Sequence, residues 1–255
     1  MRKNYKLYLQ KKQHLLLLTA CQRTIFCHKN QVVYNKNMHT RHHTNEYVSA
    51  ATHGIGFGLS IAGLVLLVQA AQESSAWHVV AFSLFGASLI CAYGASLLYH
   101  LIPDGHRTKE LWRRFDHAMI YLLIAGTYMP VVLIPLRGGW GWSLFGVVWG
   151  IAFFGMIWQL ANWQLPRWLS SVLYLLLGWL IIIAIVPLLH AISLPAFRWL
   201  LGGGLAYTFG VIFFGLEVIV TPRRYFGMHE IFHLFVLLGS FCHWWLMWRY
   251  ILYIY

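Results

Sequence analysis

Apolar residues along the chain fall into seven long runs separated by short polar segments. A membrane-spanning helix needs roughly 20 predominantly apolar residues. A helix also satisfies its own backbone hydrogen bonds, which lipid cannot do. The runs occupy residues 47–70, 79–101, 116–136, 141–161, 169–190, 197–220 and 228–253. The pattern therefore predicts an all-α membrane protein with seven transmembrane helices.

Composition supports this class and excludes others. The chain is 59% hydrophobic and 10% charged, whereas soluble domains are about 45–50% apolar and about 25% charged. Its four cysteines include no CxxC pair, so neither a disulfide framework nor a thiolate zinc site is indicated. The formal charge is +12: nine of the nineteen Lys and Arg residues lie in residues 1–45, and most of the others lie between the apolar runs, which is typical of a membrane protein. We therefore expect membrane lipids, and no nucleic acid, as partners.

The basic residues also predict the direction of the helices. Sixteen of the nineteen Lys and Arg residues fall on the side that holds the N-terminus. Cytoplasmic loops carry the excess of Lys and Arg. The N-terminus is therefore expected in the cytoplasm and the C-terminus outside. Without residues 1–45, which hold nine of these cations, the bias is seven to three and keeps its sign.

Residues 1–45 differ from the rest of the chain. They are basic, contain no acidic residue and show no long apolar period. We predict a disordered N-terminal extension in the cytoplasm, with Met38 as an alternative start of translation. The transmembrane domain is expected to comprise residues 46–255.

Small residues recur at every fourth position in the first run. They are Ala50, Gly54, Gly58 and Ala62. Residues four apart share one face of a helix, and small side chains let a second helix approach closely. We therefore expect this face to be the tightly packed one.

Polar side chains collect at one end of three of the predicted helices. Ionisable groups inside a membrane are costly and mark candidate functional sites. The second run ends on the cytoplasmic side with Ser96 and His100, and the third begins there with Asp116. The seventh also begins there, with His229 and His233. All five side chains are thus expected at one depth near the cytoplasmic face.

The spacing of these residues suggests a zinc site. His229 and His233 are four apart, so a helix presents both imidazoles on one face. With His100 they supply three nitrogen ligands and leave one position open, as in catalytic zinc sites. Asp116 would act as general base towards a zinc-bound water, or orient a ligating histidine. Ser96 lies one turn before His100 on the same face and is a second candidate catalytic residue.

Three other ionisable residues lie within the runs or at their ends. His53 either lines a cavity at the predicted zinc site or packs in the core. His243 is ten residues beyond His233, about 15 Å farther along the helix, so it cannot share the same ion. Glu217 is expected to face the cavity or pair with an arginine.

Several segments together resemble a known family. They are Glu46, Thr52-His53-Gly54-Ile55-Gly56, Ser96 with His100, Phe115-Asp116-His117, the stretch from Tyr121 to Pro130, and His229 with His233 and the later His243. In this order they resemble the hemolysin III branch of the progestin and adipoQ receptor superfamily, over residues 46–255. The resemblance implies a multi-pass protein of the cell (inner) membrane with a cytoplasmic N-terminus.

The same resemblance carries functional expectations. It implies zinc held by His100, His229 and His233, with Asp116 and Ser96 beside it. It also implies kinship with membrane ceramidases, and hence hydrolysis of an amide or ester bond in a lipid substrate. The residues themselves specify neither a particular substrate nor an oligomeric state.

Three other functions stay open. His229-Glu230-x-x-His233 fits the HExxH pattern, in which the glutamate is the base of a metalloprotease. An intramembrane protease of this kind would need a further acidic ligand in a later span. No span is predicted after the seventh. The other two are a non-catalytic sensor of lipid or membrane state with a structural zinc, and a cytolysin.

The predicted direction can be tested with reporters fused after Tyr255. Alkaline phosphatase needs disulfides that form outside the cytoplasm, so we expect this fusion to be active in a bacterial host. Green fluorescent protein exported to the same side should stay dark. The reverse pair of signals would contradict the charge-based orientation.

Overall fold

A computed structural model describes residues 46–161, 163, 167–217 and 227–254. All of these belong to one unit, Asn45–Tyr255. The predicted disordered extension, residues 1–45, lies outside the described residues. The regular elements that the model describes are helical.

Within the described residues, seven helices are long and apolar enough to cross a membrane, which confirms the predicted number. They are α1 (Glu46–Ala71), α2 (Ala76–Leu101), α3 (Lys109–Leu133), α4 (Gly139–Leu160), α5 (Trp168–Ala191), α6 (Leu194–Leu216) and α7 (Met228–Tyr253). Extensive interfaces pair α2 with α3, α6 with α7, and α3 with α4.

The third helix begins earlier than the apolar pattern predicted. It starts at Lys109, whereas the apolar run begins at residue 116. Glu110 pairs within the first turns with Arg113 at 2.7 Å and Arg114 at 3.2 Å. Charged pairs three and four residues apart stabilise a helix without contributing to its apolar pattern. A hydropathy pattern does not register these turns.

The fifth helix is irregular in its middle. It narrows to a 3₁₀ helix over Trp179–Ala184, just before Pro187. Proline lacks an N–H and its ring crowds the carbonyl four residues earlier, so a regular α-helix is not sustained there. Tyr128 of α3 compensates: its hydroxyl donates to the Leu177 carbonyl at 2.9 Å and accepts the Ile181 N–H at 3.0 Å.

The predicted small-residue face of α1 is packed along only half of its length. Ala50 is buried, and a Cβ added at Gly54 would lie 3.5 Å from Leu97, whereas a Cβ at Gly58 would have no neighbour within 4 Å. The closest approaches are at Gly56, against the Tyr93 ring, and at Gly63, whose carbonyl accepts the Trp244 indole N–H at 3.2 Å. Large side chains on α2 and α7 thus approach a different face of α1, and the sequence of α1 does not reveal them.

The core and the outer surface are both apolar. Phe82, Phe85, Met129 and Leu246, from α2, α3 and α7, are fully buried. Many large apolar side chains are exposed on the outside of the bundle. They include Leu59, Phe153, Ile183 and Val186. An apolar surface of this extent is suited to lipid rather than to water.

Four helix ends meet at one end of the bundle. The Lys109 ammonium, at the start of α3, donates to the carbonyls of Tyr99 and Ile102 at 2.9 and 2.8 Å. These carbonyls belong to the end of α2, where no further intrahelical donors follow. Lys109 also pairs with Glu46, the first residue of α1, at 3.1 Å. Since α7 begins at the same end, residues from all four helices can form one site.

Replacing Tyr128 with Phe tests its role in supporting α5. The variant loses a hydroxyl that serves the irregular backbone, so we expect the free energy of unfolding to fall by about 1–3 kcal/mol. Thermal unfolding of the detergent-purified protein measures the change. The matched control is Tyr253→Phe at an exposed tyrosine, and an equal effect of both variants would contradict the assigned role.

Candidate metal centre

Three imidazoles converge where α2 ends and α7 begins. One ring nitrogen from each of His100, His229 and His233 lies within 4.8 Å of the others. The Nε2 atoms of His100 and His229 are 3.4 Å apart. Two imidazole nitrogens have this separation when each lies about 2.0–2.1 Å from one tetrahedral zinc ion. The spacing thus fits a shared metal ion.

Each of the three rings has a partner on its outer nitrogen. Nδ1 of His100 lies 2.9 Å from a Glu46 carboxylate oxygen. Nδ1 of His229 lies 3.4 Å from a Glu217 carboxylate oxygen. Nδ1 of His233 lies 3.4 Å from the Thr52 hydroxyl. Outer partners of this kind fix the orientation and tautomer of metal-binding histidines.

The outer partners determine where the ring protons lie. Carboxylates only accept, so Nδ1 carries the proton in His100 and His229. The Thr52 hydroxyl donates to the Ser49 carbonyl at 2.9 Å and therefore accepts from Nδ1 of His233. All three Nε2 atoms are then left with lone pairs. Lone pairs gathered in this way fit a cation, and the group could hold a metal ion.

Glu46 links this group to the helix ends. Its carboxylate accepts from His100 and also pairs with Lys109, so one side chain joins α1, α2 and α3. The sequence analysis noted Glu46 only as part of a family resemblance. A carboxylate at a helix start, far in sequence from the histidines, gives no separate signal of contact with them.

Ser96 contacts a histidine other than the three. Its Oγ lies 2.6 Å from Nδ1 of His53. The His53 ring stacks on that of His233, with centroids 3.6 Å apart and planes 8° apart. His53 is buried, and its Nε2 has no hydrogen-bond partner among the described residues. Of the two roles that the sequence left open for His53, the structure supports the one beside the site.

Asp116 lies near the group but is not one of its members. It lines the same cavity as His229 and His233, and its carboxylate lies 3.6 Å from Nδ1 of His117. That nitrogen has a closer partner in the Arg113 carbonyl, at 2.8 Å. The Asp116 carboxylate is half-buried and faces a space shared with two of the imidazoles.

Glu230 does not have the position of a metalloprotease base. Its carboxylate accepts from the backbone N–H of Gly227 at 2.6 Å and from the Ser49 hydroxyl at 3.0 Å. The side chain is buried and caps the start of its own helix. The HExxH pattern here therefore combines two clustered imidazoles with a structural glutamate.

A large cavity adjoins the histidines. Its volume is about 990 Å³, at the upper end of the usual range for small-molecule pockets. Near the histidines it is lined by Ser96, His53 and Asp116, and farther along α7 by mostly apolar side chains from α3, α5 and α6. Its two ends thus differ in polarity.

Comparison with known proteins identifies the family. Residues 41–244 match the family model described as Haemolysin-III related. The chain is 40% identical to "Hemolysin-3 homolog" of Bacillus subtilis (strain 168) over 196 residues, which cover 76% of this chain and 89% of that protein. It is also 40% identical to "Hemolysin-3" of Bacillus cereus, with 76% and 86% covered. This chain belongs to the haemolysin-III family.

A more distant relative supports membership of the progestin and adipoQ receptor superfamily. The human "Monocyte to macrophage differentiation factor" is 24% identical over 208 residues, covering 78% of this chain and 82% of that protein. The haemolysin-III match includes the three clustered histidines, Ser96 and Asp116, and leaves out residues 1–40. The candidate site therefore lies wholly within the part of the chain that defines the family.

Metal analysis of the purified haemolysin-III protein tests the site. We expect about one transition-metal ion per chain. His229→Ala combined with His233→Ala should abolish it, because two of three ligands are removed. Inductively coupled plasma mass spectrometry of the detergent-purified protein gives the ratio.

The control is His190→Ala. His190 is an exposed residue at the C-terminal end of α5, so its replacement should leave the ion in place. A wild-type protein that contains no metal and takes none up when metal is added would contradict the assignment.

Proposed function

We propose that this haemolysin-III protein is a zinc-dependent hydrolase that cleaves an amide or ester bond of a membrane lipid at its cytoplasmic side. One observation carries the proposal. One ring nitrogen from each of three imidazoles lies within 4.8 Å of the others, and this cluster adjoins a cavity of about 990 Å³ that a carboxylate also lines. This is the arrangement of ligands, base and enclosed substrate space that metal-assisted hydrolysis requires.

Zinc is the metal that suits this donor set best. Imidazole nitrogens bind zinc, copper, iron and nickel, and three of them with an open position are typical of catalytic zinc. When bound, the ion supplies Lewis acidity at the open position. The three histidines hold it, while Glu46, Glu217 and Thr52 keep the rings in the tautomer that binds.

Asp116 is assigned the proton transfer. Its carboxylate faces the cavity shared with His229 and His233, so it can accept a proton from an attacking water and return it to the leaving group. It is separate from the three ligand nitrogens and stays free for this role.

Ser96 is assigned to the same region of the cavity. Its hydroxyl and the His53 ring form a hydrogen-bonded pair packed against His233. In this position the pair can hydrogen-bond the polar group of a bound lipid.

Two non-catalytic alternatives differ from this proposal in what they predict. In a sensor of lipid or membrane state, the zinc would be structural and nothing would be turned over. A cytolysin is the function that the names of the two Bacillus relatives suggest. A cytolysin should release dye from liposomes with or without zinc, whereas the hydrolase should not.

Asp116→Asn separates catalysis from metal binding. The variant keeps the three ligands, so we expect one ion per chain and unchanged thermal stability. Hydrolysis of lipid amides and esters should fall about 100-fold or more, as expected when a general base is lost. Product release from a panel of N-acyl and O-acyl lipids, followed by mass spectrometry, measures the rate.

The matched control is Glu73→Gln. Glu73 is an exposed acidic residue in the turn between α1 and α2, and it does not line the cavity. Wild-type protein that holds its ion but cleaves none of the panel, while binding lipid, would favour the sensor. Dye release that does not depend on the ion would favour the cytolysin.

A further inference from the structure

A buried histidine lines the far end of the cavity. His243 of α7 lines the cavity and is only 5% exposed. Its Nδ1 is enclosed and has no hydrogen-bond partner among the described residues. Burying an unpaired N–H costs about 1–3 kcal/mol, so the lack of a partner at Nδ1 constrains which ring nitrogen carries the proton.

The ring is held in a fixed position. It lies parallel to the Tyr207 ring, with centroids 5.6 Å apart and planes 23° apart. It also rests against Gly203, where an added Cβ would lie 2.6 Å from the imidazole Cε1. Gly203 thus provides room for the imidazole, and a side chain there would displace it. The orientation of His243 is therefore built into α6 and α7.

Neighbouring polar groups in this part of the bundle are paired. The Tyr207 and Tyr93 hydroxyls both contact Ser240 Oγ, at 2.9 and 2.7 Å. The Trp179 indole N–H donates to the Thr208 hydroxyl at 3.0 Å. His243 is the exception, and it lies beside apolar cavity residues such as Phe197 and Leu200.

The tautomer of His243 follows from its surroundings. A neutral imidazole has one N–H and one lone pair. Orphaned buried N–H groups are rare in proteins, so we place the lone pair on the enclosed Nδ1 and the N–H on Nε2. The ring then offers a hydrogen-bond donor to the cavity that it lines.

From these observations we infer that His243 recognises an oxygen atom on the chain of a bound lipid. The inference rests on the proposed function for the position of the lipid, whose polar end lies at the metal group. His243 is ten residues beyond His233, about 15 Å along α7. An extended carbon chain advances about 1.3 Å per bond of about 1.5 Å. The preferred ligand therefore carries a hydroxyl or other acceptor about twelve carbons from its polar end.

Competition between matched fatty acids tests the inference. Purified full-length protein with its metal is incubated with equal amounts of stearic acid and 12-hydroxystearic acid, and native mass spectrometry gives the ratio of the two bound forms. We expect the hydroxylated chain to be favoured about three- to tenfold, the gain of one net hydrogen bond.

Three variants attribute this preference to His243. In His243→Phe, which keeps a flat ring beside Gly203, the ratio should fall to about one. In His243→Gln, whose side-chain amide retains an N–H donor, it should stay above one. If the His243→Phe protein does not fold, His243→Leu serves in its place, because leucine also lacks a hydrogen-bond donor. The positional control is 2-hydroxystearic acid against stearic acid, a ratio that His243→Phe should not change.

Several outcomes would overturn the inference. These are a ratio near one in the wild type, a preference that survives in His243→Phe, and failure of either chain to bind. If His243 holds only an ordered water, the wild-type ratio is also near one. The assay needs no turnover, so a failure of the hydrolase proposal leaves the ratio unchanged and the two ideas can fail separately.

Discussion

A polar group inside the bilayer must find its partner within the protein, because lipid offers no hydrogen bonds. This requirement accounts for much of the architecture. The irregular backbone of α5 is satisfied by the Tyr128 hydroxyl. The start of α7 is capped by the carboxylate of Glu230, and the carbonyls at the end of α2 by the Lys109 ammonium. Each partner lies on another helix or in the same turn, so packing and hydrogen bonding depend on each other.

The candidate metal centre follows from the same requirement. The groups that hydrogen-bond the outer nitrogens of its histidines also connect the helices to one another. Glu46 orients His100 and pairs with Lys109, and Thr52 contacts His233. With their outer nitrogens occupied, the three rings each keep a lone pair on the other nitrogen, and one ring nitrogen of each lies within 4.8 Å of the others. A cation at that point would relieve the repulsion between these lone pairs. Metal binding should therefore be coupled to how α1, α2 and α7 pack at this end.

The cavity connects this polar end to the middle of the bundle. The irregular segment of α5 lines it, together with Tyr128 from α3. A regular α5 would present different side chains to this space, so Pro187 and Tyr128 influence the shape of the site as well as the stability of the helix. His53 and His243 each have an unpaired ring nitrogen beside the cavity. The other enclosed side-chain nitrogen and oxygen atoms of the described residues have partners, so these two exceptions are candidate positions for a ligand or a water.

The sequence by itself determined the seven helices, because spanning requires about 20 apolar residues each and the runs are separated by polar segments. It also grouped His100 with His229 and His233, since direction and i, i+4 spacing place imidazoles at one depth and on one face. Only the tertiary structure decided the rest. The packed face of α1, the link from Glu46 to His100 and the contact between Ser96 and His53 all depend on side chains from other helices. The polar start of α3 escaped the hydropathy pattern for a different reason, because charged pairs within the helix support it. Periodicity within one helix carries no information about which neighbour it meets.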